Sequence, residues 1–378
     1  MVTAETADDV ELTTRVGERE VITSGPHHVA RVTGLDPDTE YELEVTGVER
    51  PRRSTPDEAP LPAPTRTGVV EPHAYLPAAV RTLARPAGAL VATIATANDV
   101  HFGETVCGAT GDPAQDAKGP LVTADPGEAP YPQVMNAAVI EEMHALAPDV
   151  VVVKGDLTAA GTEDEYADFL GAYGSLGPVM HHVRGNHDAM QDPTMAIEDA
   201  PYAVVADGVT LAVLDTVIPG TDAGQLTSDQ LAWLDALGGE IPGPVLVFGH
   251  HPCFDVEHGA RTGRPYFGIQ PDDSDALVDV VARHDNIVGY FAGHTHRNRV
   301  RRFERARGVP FAEVGCTKDY PGAWAEYRIY EGGYTQTVRR VAAPDAFAWA
   351  EKTRVLYEGV YRDYALGPLE HRCYTQLF

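Results

Sequence analysis

Val150-Val-Val-Val-Lys-Gly155-Asp156 reads as a fully buried strand that stops on a glycine and delivers an aspartate. Four consecutive valines place β-branched side chains on both faces, the composition of a strand covered above and below rather than one facing solvent. Four further stretches repeat the arrangement. They are Leu90 to Ala95 before Asp99-Val-His101, Pro178 to Val183 before Gly185-Asn186-His187-Asp188, Pro244 to Phe248 before Gly249-His250-His251, and Ile287 to Phe291 before Gly293-His294-Thr-His296. Ligand-type residues leaving the carboxyl ends of neighbouring strands converge in one crevice, the usual place of sites in layered α/β proteins. Carboxylate, amide oxygen and imidazole together suit first-row metal ions, and no thiolate joins them to signal a structural zinc. A lone Gly-Asp or Asn-His-Asp is ordinarily a turn. Five clusters in order, each after a strand-like run, imply a two-metal site.

The chain of 378 residues is long enough for one large domain and a smaller one. A formal charge of −27 argues against nucleic acid or an anionic membrane as partner, because such binders need a basic face. No apolar stretch is long enough to span a bilayer, and the acidic Met1 to Val10 lacks a signal-peptide profile, so a cytoplasmic protein is expected. Cys107, Cys253, Cys316 and Cys373 are widely spaced and read as unpaired thiols.

Residues 1–70 read as a small all-β module, with runs at Val10 to Val16, Glu20 to Thr23, His28 to Val32, Tyr41 to Thr46 and near Pro64 to Thr67. In Tyr41-Glu-Leu-Glu-Val45 the apolar residues face inward and Glu40, Glu42 and Glu44 face water. Residues 71–88 are expected to link the module to a catalytic domain at 89–340, with a connecting helix over His73 to Arg85. The Gly- and Pro-rich stretch Glu104 to Pro132 reads as a long loop overhanging the site or a solvent-exposed insertion. Helices are expected over Gln133 to Leu146, after the cap Thr227-Ser-Asp-Gln230 as far as Gly238-Gly239, and over Ala343 to Tyr364 within a helical extension at 341–378. Hairpins are expected around Asp207-Gly208 and Glu331-Gly-Gly333. Strands and helices alternate throughout, which favours sheets sandwiched by helices.

The motif set resembles the calcineurin-like metallophosphoesterases from about Ala92 to Arg299, with no departure at a ligand position. The resemblance implies a four-layer αββα sandwich behind the small β-sandwich. It implies that Asp99, His101, Asp156 and His296 hold one metal, and that Asp156 bridges to a second completed by Asn186, His250 and His294. Mn, Fe, Zn or Co would all be accepted by these donors. A bridging hydroxide would attack phosphorus in line, His187 would protonate or steady the leaving alkoxide, and Asp188 would orient that imidazole. His251, His181-His182 and His27-His28 read as core or surface residues, whereas His258, Arg261, Arg264 and Arg297 are candidates to touch a phosphate.

The N-terminal segment resembles a fibronectin type III module, whose Tyr after a Leu-x-Pro turn makes a tyrosine corner. Purple acid phosphatases also join such a module to this fold, but they carry a Tyr ligand three residues after the Gly-Asp aspartate, where this chain has Ala159. Gly155 to Gly161, with Glu165-Tyr166 and Phe169-Leu170, instead resembles the branch of cyclic nucleotide and glycerophosphodiester phosphodiesterases. The expected partner is a small phosphodiester, with phosphomonoesters as the alternative and a non-catalytic scaffold behind both. A homo-oligomer through the C-terminal aromatic face stays open.

Overall fold

Strands apolar on both faces have to be covered on both faces, and two six-stranded sheets stacked between helices achieve this. The computed structural model describes residues 1–47, 64–65, 68–69, 77–109, 116, 119–197, 200–255 and 266–378. His258, Arg261 and Arg264 lie outside the described residues, as does nearly all of Glu49 to Pro64.

The N-terminal strands β1 (Val2–Val16), β2 (Arg19–Ala30) and β3 (Glu40–Thr46) form an antiparallel sheet; the two-residue strands β4 (Pro64–Thr65) and β5 (Gly68–Val69) pair only with each other. Glu40, Glu42 and Glu44 are exposed while Leu43 is buried, as the alternation requires. Over the described part of the helix expected at His73 to Arg85, residues 77–85, no helix forms. Ala79–Arg81 is instead a strand, β6, paired with Glu40–Glu42 at the edge of the same sheet. Pro77 and Pro86 flank it and the β-branched Val80 and Thr82 favour extended backbone, while Arg81 pairs with Asp38 at 2.9 Å.

The first large sheet has the order β18 (Cys373–Leu377), β17 (Gly333–Arg340), β16 (Ala323–Tyr330), then β7 (Leu90–Ala97), β8 (Val150–Lys154) and β9 (Met180–Val183). Its parallel half is β7, β8 and β9. The second has the order β10-β11-β12-β13-β15-β14, from β10 (Tyr202–Ala206), β11 (Val209–Val213), β12 (Val245–Phe248), β13 (Ile287–Ala292), β14 (Arg299–Arg302) and β15 (Pro310–Glu313). Strands β11, β12, β13 and β15 are parallel, and both expected hairpins form, the second between β16 (Ala323–Tyr330) and β17 (Gly333–Arg340).

Period-two alternation sorts the apolar runs between layers. Val150 and Val152 meet Leu246, Phe248 and Phe291 between the sheets, whereas Val151 and Val153 face the helices Tyr131–Leu146 and Glu163–Tyr173. On the far side Val245 and Val247 pack under Ser228–Glu240 and Pro271–Arg283. This is the αββα order expected. Thr227 caps Ser228–Glu240 through Gln230 N, though the helix runs through both glycines to Glu240.

The C-terminal region departs from a single helix over Ala343 to Tyr364. A helix over Pro344–Thr353 ends, a tight turn at Tyr357–Gly359 follows, and short helices at Tyr361–Leu366 and Leu369–Arg372 lead into β18 (Cys373–Leu377), which pairs with β17. Tyr357 and Gly359 both adopt positive φ, which breaks the helical path. Among the described residues no helix is long and apolar enough to cross a membrane.

Candidate metal centre

Parallel strands from both sheets end at one edge, and the five motifs meet there. Asp99 N donates to Gly155 O at 3.0 Å, and Gly293 N donates to His250 O at 2.9 Å, which ties the strand-end loops together. Asp99, His101, Asp156 and His296 form one group whose ligand atoms all lie within 4.8 Å of one another, and His250, His251 and His294 form a second. Asp156 stands between them, with Oδ2 3.4 Å from His101 Nε2 and Oδ1 3.3 Å from His250 Nε2. Asn186 Oδ1 lies 3.1 Å from His250 Nε2. All seven residues expected as ligands are thus brought together.

Five of them, Asp99, His101, Asp156, His294 and His296, have φ between 45° and 68°. Left-handed backbone is uncommon outside glycine and persists where surrounding contacts over-determine it, typically at functional sites. The candidate ligands themselves therefore make most of the sharp turns. Gly155, at φ +85°, makes another, whereas Gly185 is needed for close approach, because a Cβ there would sit 2.2 Å from Asp156 Oδ1.

The imidazoles are oriented from behind. His250 donates from Nδ1 to Lys154 O at 2.8 Å, which turns Nε2 toward Asp156 and Asn186. His294 Nε2 and His251 Nε2 are buried with no hydrogen-bond partner. Buried nitrogens left open beside two carboxylates are the atoms a cation would satisfy, so the donor set fits metal ions.

Charge follows the same layout. Burial and the Lys318 ammonium oppose protonation of His101, but Asp156 and Glu104 outweigh them and push it up to about 10. Burial likewise opposes His250, whose proximity to Asp156 pushes it up to about 9. Burial and the His250 charge pull His294 down to about 3, and burial with the His294 charge holds His251 well below the usual imidazole range. Asp156 stays ionised despite burial because His250 and His187 adjoin it.

His187 and Asp188 do not pair as expected. The Asp188 carboxylate, fully buried, accepts from Thr158 N (2.8 Å), Thr158 Oγ1 (2.6 Å), Leu157 N (3.1 Å) and Gly185 N (2.7 Å). It braces the Asp156 loop against the Asn186 loop. His187 Nδ1 instead meets Ala159 O at 2.7 Å, and its ring lies 4.5 Å from that of His101. The physical reason is supply: four donors surround Asp188, and one backbone carbonyl suffices to orient the imidazole.

Arg297 is buried, stacked on Tyr364 and paired with Glu313 at 2.9 Å, so it serves the scaffold rather than a phosphate. His182 meets Tyr166 OH at 2.9 Å and is a core residue as expected. His251, read as core or surface, lies within the second group instead. Glu104, Lys318, Asp319 and Tyr361 also adjoin the first group, outside the five motifs. The rule that found the five motifs reaches two of them, because Lys318 and Asp319 follow β15, another parallel strand.

Residues 92–298, more than half of the chain, match the calcineurin-like phosphoesterase family. A probable cyclic nucleotide phosphodiesterase of Synechococcus is 29% identical over 209 residues, 52% of this chain and 78% of that protein. A glycerophosphodiester phosphodiesterase of Enterobacter lignolyticus is 27% identical over 189 residues, 45% of this chain and 65% of that protein. A cAMP/cGMP dual specificity phosphodiesterase of Mycobacterium tuberculosis is 30% identical over 187 residues, 46% of this chain and 55% of that protein. For the last two, the match spans less than two thirds of the relative. A dimetal phosphatase from Danio rerio superposes with a TM-score of 0.51 at 15% identity, over 67% of this chain and 98% of that one, a likeness of fold.

Proposed function

The chain belongs to the calcineurin-like phosphoesterase family, and from that premise we propose that it is a two-metal phosphodiesterase acting on small phosphodiesters. The observation that carries this reading is Asp156, a single buried carboxylate whose two oxygens face imidazoles of different groups. In the proposal Asp99, His101, Asp156 and His296 hold one cation, and Asp156, Asn186, His250 and His294 the other. When bound, such cations supply Lewis-acid activation of water and neutralise charge developing on phosphoryl oxygens.

The chain's own residues do the rest. His187, held at Nδ1 by Ala159 O, keeps Nε2 for the substrate and steadies or protonates the departing oxygen. Asp188 keeps the two ligand loops in register. Ala159 leaves no phenolate in the ligand set, which supports the diesterase branch over the purple phosphatases, as do the names borne by the relatives. The domain division at residues 70 and 88 is proposed with β6 assigned to the N-terminal sheet. The fibronectin type III-like character of that sheet is supported by Asp36 N donating to Tyr41 OH at 2.9 Å, the bond of a tyrosine corner.

The test is a substrate panel on protein of measured metal content: bis(p-nitrophenyl) phosphate, p-nitrophenyl phosphate, cyclic AMP and glycerophosphodiesters. Preference for diesters is expected. Preference for the monoester would favour phosphomonoesterase activity, and no hydrolysis by fully metallated protein would sink the enzymatic reading.

A further inference from the structure

Behind the first ligand group lies a buried ionic cluster built largely from chain beyond residue 298, where the family match ends. Lys318 Nζ binds Glu104 Oε1 at 2.6 Å and Asp319 Oδ2 at 3.2 Å, with Lys318 and Asp319 both almost wholly buried. Each carboxylate also reaches toward an imidazole of the first group, Glu104 directly and Asp319 mainly through Tyr361. Glu104 Oε2 is 3.1 Å from His101 Nδ1. Asp319 Oδ1 accepts from Tyr361 OH at 2.6 Å, and that hydroxyl lies 3.4 Å from His296 Nδ1, with Asp319 Oδ2 itself 4.0 Å away. On the opposite ring edges, His101 Nε2 faces Asp156 and His296 Nε2 faces Asp99.

We propose that Glu104, Lys318, Asp319 and Tyr361 form a clamp that positions His101 and His296 for the first cation, so that the C-terminal segment completes that site. A buried ion cluster is seldom retained for stability alone, because apolar packing of the same volume does as well or better. This one is anchored as a positioning device needs to be. Lys318 O accepts from Trp349 Nε1 at 2.9 Å, Tyr320 N donates to Thr353 Oγ1 at 2.9 Å, and Tyr131 OH donates to Glu104 Oε1 at 2.6 Å. Cys316 and Cys107 donate to the two oxygens of Asp319 at 2.7 and 3.3 Å, which fixes its rotamer. Two carboxylates against one ammonium leave a negative charge beside the cation. Partners of this kind, placed on the far nitrogen of a ligand histidine, typically change metal affinity by about 10–100-fold when removed.

The inference rests on the metal site proposed above. The test measures Mn(II) binding to the full-length protein by equilibrium dialysis and by the EPR signal of free Mn(II), for the wild type and for Glu104→Gln, Asp319→Asn and Tyr361→Phe. The expected result is two ions per chain in the wild type, with one of them about 10–100-fold weaker in each variant and the other unchanged. Excess Mn(II) should restore kcat for bis(p-nitrophenyl) phosphate at an unaltered KM. Tyr361→Phe removes one oxygen and keeps the ring, so it reports even where a charge-neutralising variant unfolds. A wild type that binds no Mn(II) would overturn the metal site and the clamp together. A wild type that binds two ions, with folded variants of the same affinity, would overturn the clamp alone.

Discussion

Metal binding to this protein should release protons, and the number follows from the site. In the metal-free chain His101 is pushed up to about 10 and His250 to about 9. Both are therefore predominantly protonated at pH 7 when no metal is bound. A ligating imidazole has to be neutral, so each proton must leave. His294, pulled down to about 3, and the ionised Asp156 contribute none. Loading the two proposed sites at pH 7 should thus displace the protons held by His101 and His250. The sign for stability is the reverse of that for affinity. Folded values above the ordinary imidazole value of about 6.5 mean that these protons stabilise the metal-free fold below that pH, and that the contribution is lost as pH rises through about 9 and 10. Metal affinity should instead climb, about tenfold per site between pH 7 and 8, flattening for the second site above about 9. Calorimetric titration of Mn(II) into metal-free protein, in buffers of different ionisation enthalpy, reads the proton count directly, and His101→Gln should lower it by one. An affinity flat from pH 7 to 8.5, or fewer than one proton released, would refute the electrostatic reasoning.

Three further outcomes test other parts of the site. His187→Ala should lower kcat by about 10²–10⁴-fold, the range of a lost general acid, while metal content stays at the wild-type level. Asp188→Ala strips the acceptor from three buried amides and a hydroxyl and should cost about 2–4 kcal/mol in denaturant unfolding; unchanged stability with lost turnover would restore a direct pairing with His187. Gly185→Ala places a methyl group against Asp156, so metal analysis should find fewer than two ions per chain even if the protein folds.

The two large sheets and the convergence of the candidate ligands at one edge were legible in the sequence because both rest on short-range patterns. A run of valines cannot face water, and a ligand two to four residues past such a run is pinned to the strand end. Asp188 illustrates where adjacency misleads: it follows His187 in the chain, yet three donors from Leu157 and Thr158, with Gly185 N, decide where its carboxylate goes. The C-terminal helix was overextended because aromatic spacing continues across Tyr357, while positive φ at that residue and at Gly359 ends the helical path. β6 was missed because a three-residue edge strand carries too little periodicity to outweigh a helical reading. Lys318, Asp319 and Tyr361 stayed hidden because a buried charge looks like a surface charge until its partners, hundreds of residues away for Glu104, are known.

The left-handed ligand backbones bear on metal choice as well as on geometry. Each such conformation carries an energetic cost of about 1–3 kcal/mol, which the hydrogen bonds and packing around these loops have to offset. Loops held by bonds such as Asp99 N to Gly155 O and Gly293 N to His250 O leave a cation less chain to order, which is the energetic meaning of preorganisation. Exchange of one first-row ion for another then leaves the loops as they were. Occupancy of the proposed sites becomes a matter of ligand affinity and supply, so dialysis against Mn(II) or Zn(II) should exchange the bound ion without reshaping the protein around it.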